Sequence, residues 1–240
     1  MIELYREQGL EIYEKSHYSH GEHVTEVEQI LTWYRRRNTR VLDIGCSGGL
    51  HALELAKRGF SVTGLDIEPS AIKLARKRAR NENQKTKFYV LDIEKDMLPC
   101  AEKFDFIYSI GNVLSHVRKE LMPEVLQKIY DCLDKNGILL FDVLINSKPF
   151  QEEISPDESE LPIIWKRKID EKTGRISMDG IFLDCGFIQH FDVWGHTVEE
   201  IVALLNSRGF RKVKYSPKLD FIAKDKTKNP ISLYFRAECA

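Results

Sequence analysis

The sequence predicts a doubly wound α/β protein. Its sheet has seven strands, parallel except for an antiparallel last strand, and it carries a small antiparallel hairpin insert. Three observations lead there. Five short apolar runs rich in β-branched and aromatic residues (40–44, 61–65, 87–91, 104–109 and 138–144) alternate with helical stretches, as strands buried on both faces of a parallel sheet do. The first run turns sharply through "GCSGG" into a helix. The second run ends on Asp66 and the third is followed by Asp92, at the strand ends where doubly wound sheets take their ligands.

Taken in order, residues 1–38 read as helix and loop, a cap ahead of the first strand. The helix predicted over 50–58 stops at Gly59, and that over 70–81 follows Pro69, a natural first-turn residue. Residues 120–135 put Val125, Ile129 and Cys132 on one helical face and stop at Asn136-Gly137. After residue 146 the rhythm changes. Residues 147–162 (SKPFQEEISPDESELP) are polar, acidic and proline-punctuated, a loop over the strand ends, and 163–194 alternate around "DEKTGR" and "DCG" as antiparallel hairpins. Thr197 and Glu200 form a capping-box pattern that opens a helix over 197–208, closed by Gly209. Strands 210–215 and 231–238 finish the chain, the last antiparallel because the connection is short. The whole reads as one domain, 1–240: cap 1–38, ligand-binding core 39–146, insert or lid 147–196, and final helix and hairpin 197–240.

Composition narrows the function. With 42% apolar and 30% charged residues and a net charge of −1, the 240-residue chain is an ordinary globular protein whose overall field attracts neither nucleic acid nor anionic membrane. No apolar run is long enough to span a bilayer. The start, "MIELYREQGLEIYEK", lacks the apolar centre of a signal peptide. Five cysteines (46, 100, 132, 185, 239), odd in number and without a CxxC pair, suggest reduced thiols in a cytoplasmic protein. No metal-ligand spacing is visible. A monomer or homodimer is expected.

The glycine turn can be tested by counting. A dinucleotide fingerprint from Gly45 needs glycine at 45, 47 and 50, and the chain has Gly45, Ser47 and Leu50. The tighter GxGxG spacing matches at Gly45 and Gly49, with Gly48 beside them, and no GK[ST] follows to make a P-loop. Pyrophosphate geometry is not favoured, but close approach of backbone to a ligand is.

"VLDIGCSGG" resembles the first motif of class I S-adenosylmethionine-dependent methyltransferases, and the downstream acids fall where that family has them. The resemblance covers about residues 38–145 well and the end of the chain loosely. It implies that Asp66 accepts hydrogen bonds from both ribose hydroxyls, a task suited to a carboxylate, with Ile67 beside it. It implies that Asp92 bonds the adenine amino group with Ile93 beside the ring, and that the turn at Asp43, Gly45, Cys46, Ser47 and Gly49, together with Ile110, completes the cofactor site. The cofactor is then S-adenosyl-L-methionine, the product S-adenosyl-L-homocysteine, with no metal. Ser47 departs from the family pattern by standing at the middle glycine position.

The acceptor side is less legible. No [DN]PP[YF] run or PC nucleophile motif appears. "SIGNVLSH" resembles the segment of small-molecule N-methyltransferases of the glycine/sarcosine kind. That likeness implies Asn112 beside the transferring methyl, with His116 either acting directly or packing one turn away. Asp142 and Asn146, at the end of the fifth strand, are candidates for the acceptor pocket, Asp142 being equally an ordinary strand-end acid. Trp165, Phe182, Phe187, Phe191, Trp194 and His196 give the insert an aromatic lid or a small core of its own. Tyr13, His17, Tyr18, His20 and His23 lie where a helix would close over the cofactor. The principal expectation is methyl transfer to a small molecule, more readily at an amine nitrogen, with Asn112, His116 and Asp142 as catalytic candidates and Tyr18, Asn112, Asn146 and Trp194 around the substrate. Two alternatives stand. Seven basic side chains between 73 and 87 and four arginines in 35–40 would suit an RNA methyltransferase, though such runs are more often a solvated face. A protein that binds the cofactor without chemistry would keep the same framework.

Overall fold

The computed structural model describes residues 8–18, 20–34, 39–145, 155–156, 163–170, 172–183, 187–221 and 232–240. The chain begins with α1 (Gln8–Tyr18) and α2 (Glu22–Trp33), then runs β1 (Arg40–Ile44), α3 (Leu50–Lys57), β2 (Ser61–Asp66), α4 (Pro69–Asn81), β3 (Lys87–Val90) and β4 (Phe104–Ser109). A 3₁₀ turn at Val113–His116 leads to α5 (Met122–Cys132) and β5 (Leu133–Leu144). The insert supplies β6 (Ser155–Pro156), β7 (Ile163–Asp170), β8 (Arg175–Phe182) and β9 (Phe187–Trp194), and α6 (Val198–Ser207), β10 (Arg211–Ser216) and β11 (Ser232–Glu238) end the chain.

The main sheet has seven strands in the order β10-β11-β5-β4-β1-β2-β3. β1, β2, β3, β4 and β5 are mutually parallel, and β11 runs antiparallel between β5 and β10. Only the last strand is reversed, as the sequence predicted. The chain walks outward from β1 to β3 and returns to β4 on the other side of β1. The loops after β1 and β4 therefore diverge and open a crevice at the strand ends.

Strand alternation builds two apolar layers. Leu42, Ile44, Ile107 and Phe141 pack beneath α5 and α6. Val41, Val62, Phe106 and Leu140 pack against Val27 and Ile30 of α2, Leu53 of α3 and Ile72 of α4. Local chemistry fixes the helix ends. Glu68 accepts the Ser70 amide at the start of α4 with Pro69 in the first turn. At the start of α6, Thr197 accepts the Glu200 amide while Glu200 accepts that of Thr197, the predicted capping box.

One helix end needs correction. The helix expected to reach residue 135 ends at Cys132, because Leu133 already pairs with Phe104 as the irregular start of β5. Asn136 then takes a left-handed φ of 60°. Cys100 and Cys132, expected as thiols, are brought side by side, 5.0 Å apart at Cα. Their 32-residue separation hides the pair from any spacing rule, since the fold alone brings the loop before β4 to the end of α5. Most of the expected acidic loop, together with Asn146, lies outside the described residues.

The insert is an antiparallel set, β6-β7-β8-β9, in which β7, β8 and β9 are the expected hairpins and β6 is a short strand within the stretch read as a loop. It joins the core where the Phe191 ring meets His116 at 5.4 Å. Trp165 stands edge-on to Phe191 at 6.0 Å and lies over Gly180, where an added Cβ would meet its ring at 2.6 Å.

Candidate active site

A cavity of about 660 Å³ occupies the crevice, roofed by α1 and the insert. That is within the usual range of small-ligand pockets. The glycine turn forms one wall. Gly45 has φ 81°, and a Cβ there would strike the Val113 side chain at 2.5 Å, so the turn and the 3₁₀ segment touch only because that side chain is missing. The Gly45 and Cys46 amides both reach Leu65 O, at 2.8 and 2.9 Å, fastening the turn to β2. Ser47 takes a left-handed φ of 48° and donates its amide to Asp66 Oδ2 at 2.8 Å.

Asp66 also accepts the Glu68 amide on Oδ1 at 2.9 Å. Two oxygens holding one backbone bond each keep lone pairs in reserve. Burial raises its carboxyl above the ordinary value against these bonds. The Ser47 hydroxyl, on the same wall, is buried with no hydrogen-bond partner among the described residues. An orphaned hydroxyl beside a buried carboxylate that can accept further is a site built for a polar ligand.

The loop after β3 makes the far end. Asp92 accepts the Glu94 amide at 3.0 Å and Lys95 Nζ at 2.6 Å. Lys128 reaches from α5 to the carbonyls of Ile93, Glu94 and Asp96 at 3.1, 3.1 and 3.2 Å. Above the turn, Arg78 holds Glu14 of α1 by two bonds of 2.7 and 2.6 Å and takes the Gly48 carbonyl at 2.9 Å. That clasp ties the cap to the turn.

Most expected site residues line this cavity: Asp43, Gly45, Cys46, Ser47, Asp66, Ile67, Asp92, Ile93, Ile110, His116, Tyr18 and Trp194. Three lie elsewhere. Gly49 has φ 82° at the head of α3 and is packed by Phe88 and Ala75, so it serves helix–strand contact. Asn112, also left-handed at φ 59°, turns its amide oxygen to the Ser232 hydroxyl at 2.8 Å. Asp142, buried and not itself part of the cavity lining, accepts the Asn112 amide at 2.8 Å. The left-handed backbone at Asn112 is what swings its side chain towards β11, which spacing could not show. Sequence reading missed His51 and Gln189, which line the cavity, and Lys128 and Arg78, which shape it. His51 stands two residues past the glycine turn and was visible there. Its partner Glu26, at 2.5 Å, comes from another helix and was not.

The electrostatics sort these groups. Burial raises the Asp43 carboxyl to about 7, although the Tyr108 hydroxyl bonds it at 2.7 Å. Burial likewise raises Asp142 to about 7. It raises the Tyr18 phenol, with the Glu26 charge adding to the effect. It lowers His116, so that ring is neutral at neutral pH.

This sheet order, glycine turn and pair of strand-end acids are the framework that the resemblance to class I S-adenosylmethionine-dependent methyltransferases implies. Residues 41–137 match the model of the family described as a methyltransferase domain. A putative methyltransferase of Geobacillus sp. (strain WCH70) is 30% identical over 145 residues, 58% of each chain. A ubiquinone biosynthesis O-methyltransferase of Histophilus somni (strain 2336) is 33% identical over 112 residues, 44% of each. The chain thus spans about half the length of the curated relatives it matches. The structure of an S-adenosylmethionine-bound amino pentose methyltransferase of Micromonospora echinaspora shares the fold at a TM-score of 0.74 and 18% identity, over 100% of both chains.

Proposed function

We propose that this chain, as one domain with its cap and insert, transfers a methyl group from S-adenosylmethionine to the amine nitrogen of a small molecule. When bound, the cofactor supplies an electrophilic methyl on sulfonium. The residues present fit it. Asp66 and the Ser47 hydroxyl would hold its ribose side, Asp92 and Ile93 its base, and the turn from Gly45 its amino-acid end. The chain's own contribution to rate is alignment inside an enclosed space, which supplies roughly 7–11 kcal/mol in favourable cases.

One observation carries the choice of an amine. Behind Tyr18 and His51 the wall is acidic: Glu26 and Asp142 both act electrostatically on Tyr18, and Asp43 lies on the same side, beside His51. Among the described residues neither Asp43 nor Asp142 forms an ion pair with lysine or arginine. As these carboxyls ionise around pH 7 and above, such a wall attracts a cationic group and repels an anionic one. Tyr18, His116, Gln189 and Trp194 then surround the acceptor. The glycine/sarcosine likeness of "SIGNVLSH", which implies Asn112 beside the methyl with His116 acting or packing, supports amine chemistry. The enclosure by α1 and the insert favours a small molecule over RNA. The name of the Histophilus relative supports a second reading, a hydroxyl acceptor.

Incubation with methyl-labelled cofactor and fractionated metabolites, alongside RNA, tests these readings. Label in a basic, amine-containing product is expected. Label in a neutral or phenolic product gives the hydroxyl reading, label in RNA gives an RNA methyltransferase, and no transfer despite binding gives a non-catalytic protein.

A further inference from the structure

The wall formed by α3 and the cap carries a pair that no motif announces. His51, the second residue of α3, lines the cavity, and its Nε2 lies 2.5 Å from Glu26 Oε2 on α2. The histidine side chain is 12% exposed and the glutamate 32%, so the contact is sheltered but open to the cavity. A carboxylate only accepts hydrogen bonds. The nitrogen meeting Glu26 therefore carries a proton, and in the neutral ring Nδ1 is left as an acceptor. The rings of Tyr18 and His23 stand edge-on to His51 at 5.4 and 6.1 Å and hold its plane. Other titratable groups act on this cluster. Asp43 of β1 acts on His51, Glu54 and Lys57 act on His23, and Asp142 and Tyr234 lie behind Tyr18. A carboxylate that orients a histidine and steadies its imidazolium is the common arrangement of a general base.

We propose that His51, oriented by Glu26, is the proton acceptor of the methyl-transfer site, and that the acceptor is a molecule that must shed a proton before it can attack. The inference rests on the methyltransferase reading above. An amine drawn to an acidic wall arrives as ammonium and has no lone pair to give. One N–H proton passes to His51 Nδ1, and the bonding pair stays on nitrogen. That pair forms the bond to the methyl carbon while the carbon–sulfur bond breaks with its electrons on sulfur. The imidazolium, held against Glu26, returns the proton to water.

Three measurements on the full chain decide the matter. Nitrogen NMR of labelled histidine at pH 8, with S-adenosylhomocysteine bound, should show His51 neutral with its proton on Nε2. In Glu26→Gln the two tautomers should mix. A proton on Nδ1, an imidazolium at that pH, or no response to Glu26→Gln overturns the proposal. By calorimetry His51→Gln and Glu26→Gln should bind S-adenosylhomocysteine within about threefold of wild type. A loss beyond about tenfold would make His51 a cofactor ligand and overturn the proposal, the contact being worth a charge-assisted hydrogen bond. On the acceptor identified by label, His51→Gln should lower kcat about 100-fold or more, the usual scale of general-base catalysis, and flatten the acid limb of the pH–rate profile. An unchanged kcat and limb overturn it. If wild type itself fails to bind S-adenosylhomocysteine, the parent reading falls. If wild type binds and the tautomer is wrong, only this inference falls.

Discussion

Asp66 receives the amides of Ser47 and Glu68 and still has lone pairs to offer a diol, so its loss should be felt first in binding. Asp66→Ala should weaken S-adenosylhomocysteine by about 1.5–3 kcal/mol, the range for hydrogen bonds to a charged group. Calorimetry showing wild-type affinity would remove Asp66 from the site. Asn112 should behave in the opposite way. Its amide bonds Ser232 and its backbone is left-handed at 59°, so Asn112→Ala loses one contact and strains the turn, costing about 1–3 kcal/mol of stability. Cofactor affinity should stay within about twofold, a change of well under 1 kcal/mol. Urea unfolding and calorimetry together check this, and a tenfold loss of affinity would return Asn112 to the cavity. The two residues also show what a sequence discloses. Asp66 was legible because a strand end fixes its place in any sheet of this kind. The contact of Asn112 with Ser232 was not legible, because a positive φ redirects a side chain and only the folded backbone reveals it.

Whole elements were read well wherever pattern and punctuation agreed. The capping box at Thr197 and Glu200, the proline opening α4 and the alternation along β7, β8 and β9 each have local causes. What escaped was contact between distant elements: Glu26 with His51, Arg78 with Glu14, Cys100 with Cys132. Lys128 belongs to that set. It sits on α5, its side chain only 12% exposed, with Nζ beneath three carbonyls of the loop carrying Asp92 and Ile93. In the sequence it is one lysine on a helix, indistinguishable from a solvated one. Lys128→Met keeps the aliphatic stem and removes the three donors. The loop should then hold its shape less well, weakening S-adenosylhomocysteine by about 1–2 kcal/mol, roughly one or two hydrogen bonds' worth. Amide exchange at 93–96 should quicken while that of β1 stays as in wild type. Unchanged exchange and affinity would show that the loop keeps its conformation without the lysine.

At the scale of the molecule, buried titratable groups make stability depend on pH in two opposing ways. Asp142 moves from an ordinary 3.8 to about 7 on burial, and Asp43 does the same. Between those values the folded chain holds protons that the unfolded chain has released. Their contribution is complete below about pH 4 and is lost as pH rises through about 7. His196 is the reverse. It is fully buried, and desolvation lowers it from 6.5 to about 4, with Lys119 adding to the effect. Its contribution is present above pH 6.5 and is lost as pH falls towards 4. Two carboxyls outweigh one imidazole, so these three groups together make the cofactor-free chain lose stability as pH rises from 4 to 7. Asp142→Asn isolates one of them. The amide oxygen can still accept from the Asn112 backbone, while the buried ionisation disappears. The variant should match wild type near pH 4 and exceed it by about 2–4 kcal/mol at pH 8, since each tenfold change in proton affinity is worth about 1.4 kcal/mol. His196→Phe should flatten the opposite limb, losing less than wild type between pH 7 and 5. Urea unfolding at four pH values measures both slopes. An Asp142→Asn curve parallel to wild type across the window would mean that Asp142 is already ionised when the chain folds. The acidic wall behind Tyr18 would then be charged at neutral pH, and its pull on a cationic acceptor correspondingly stronger.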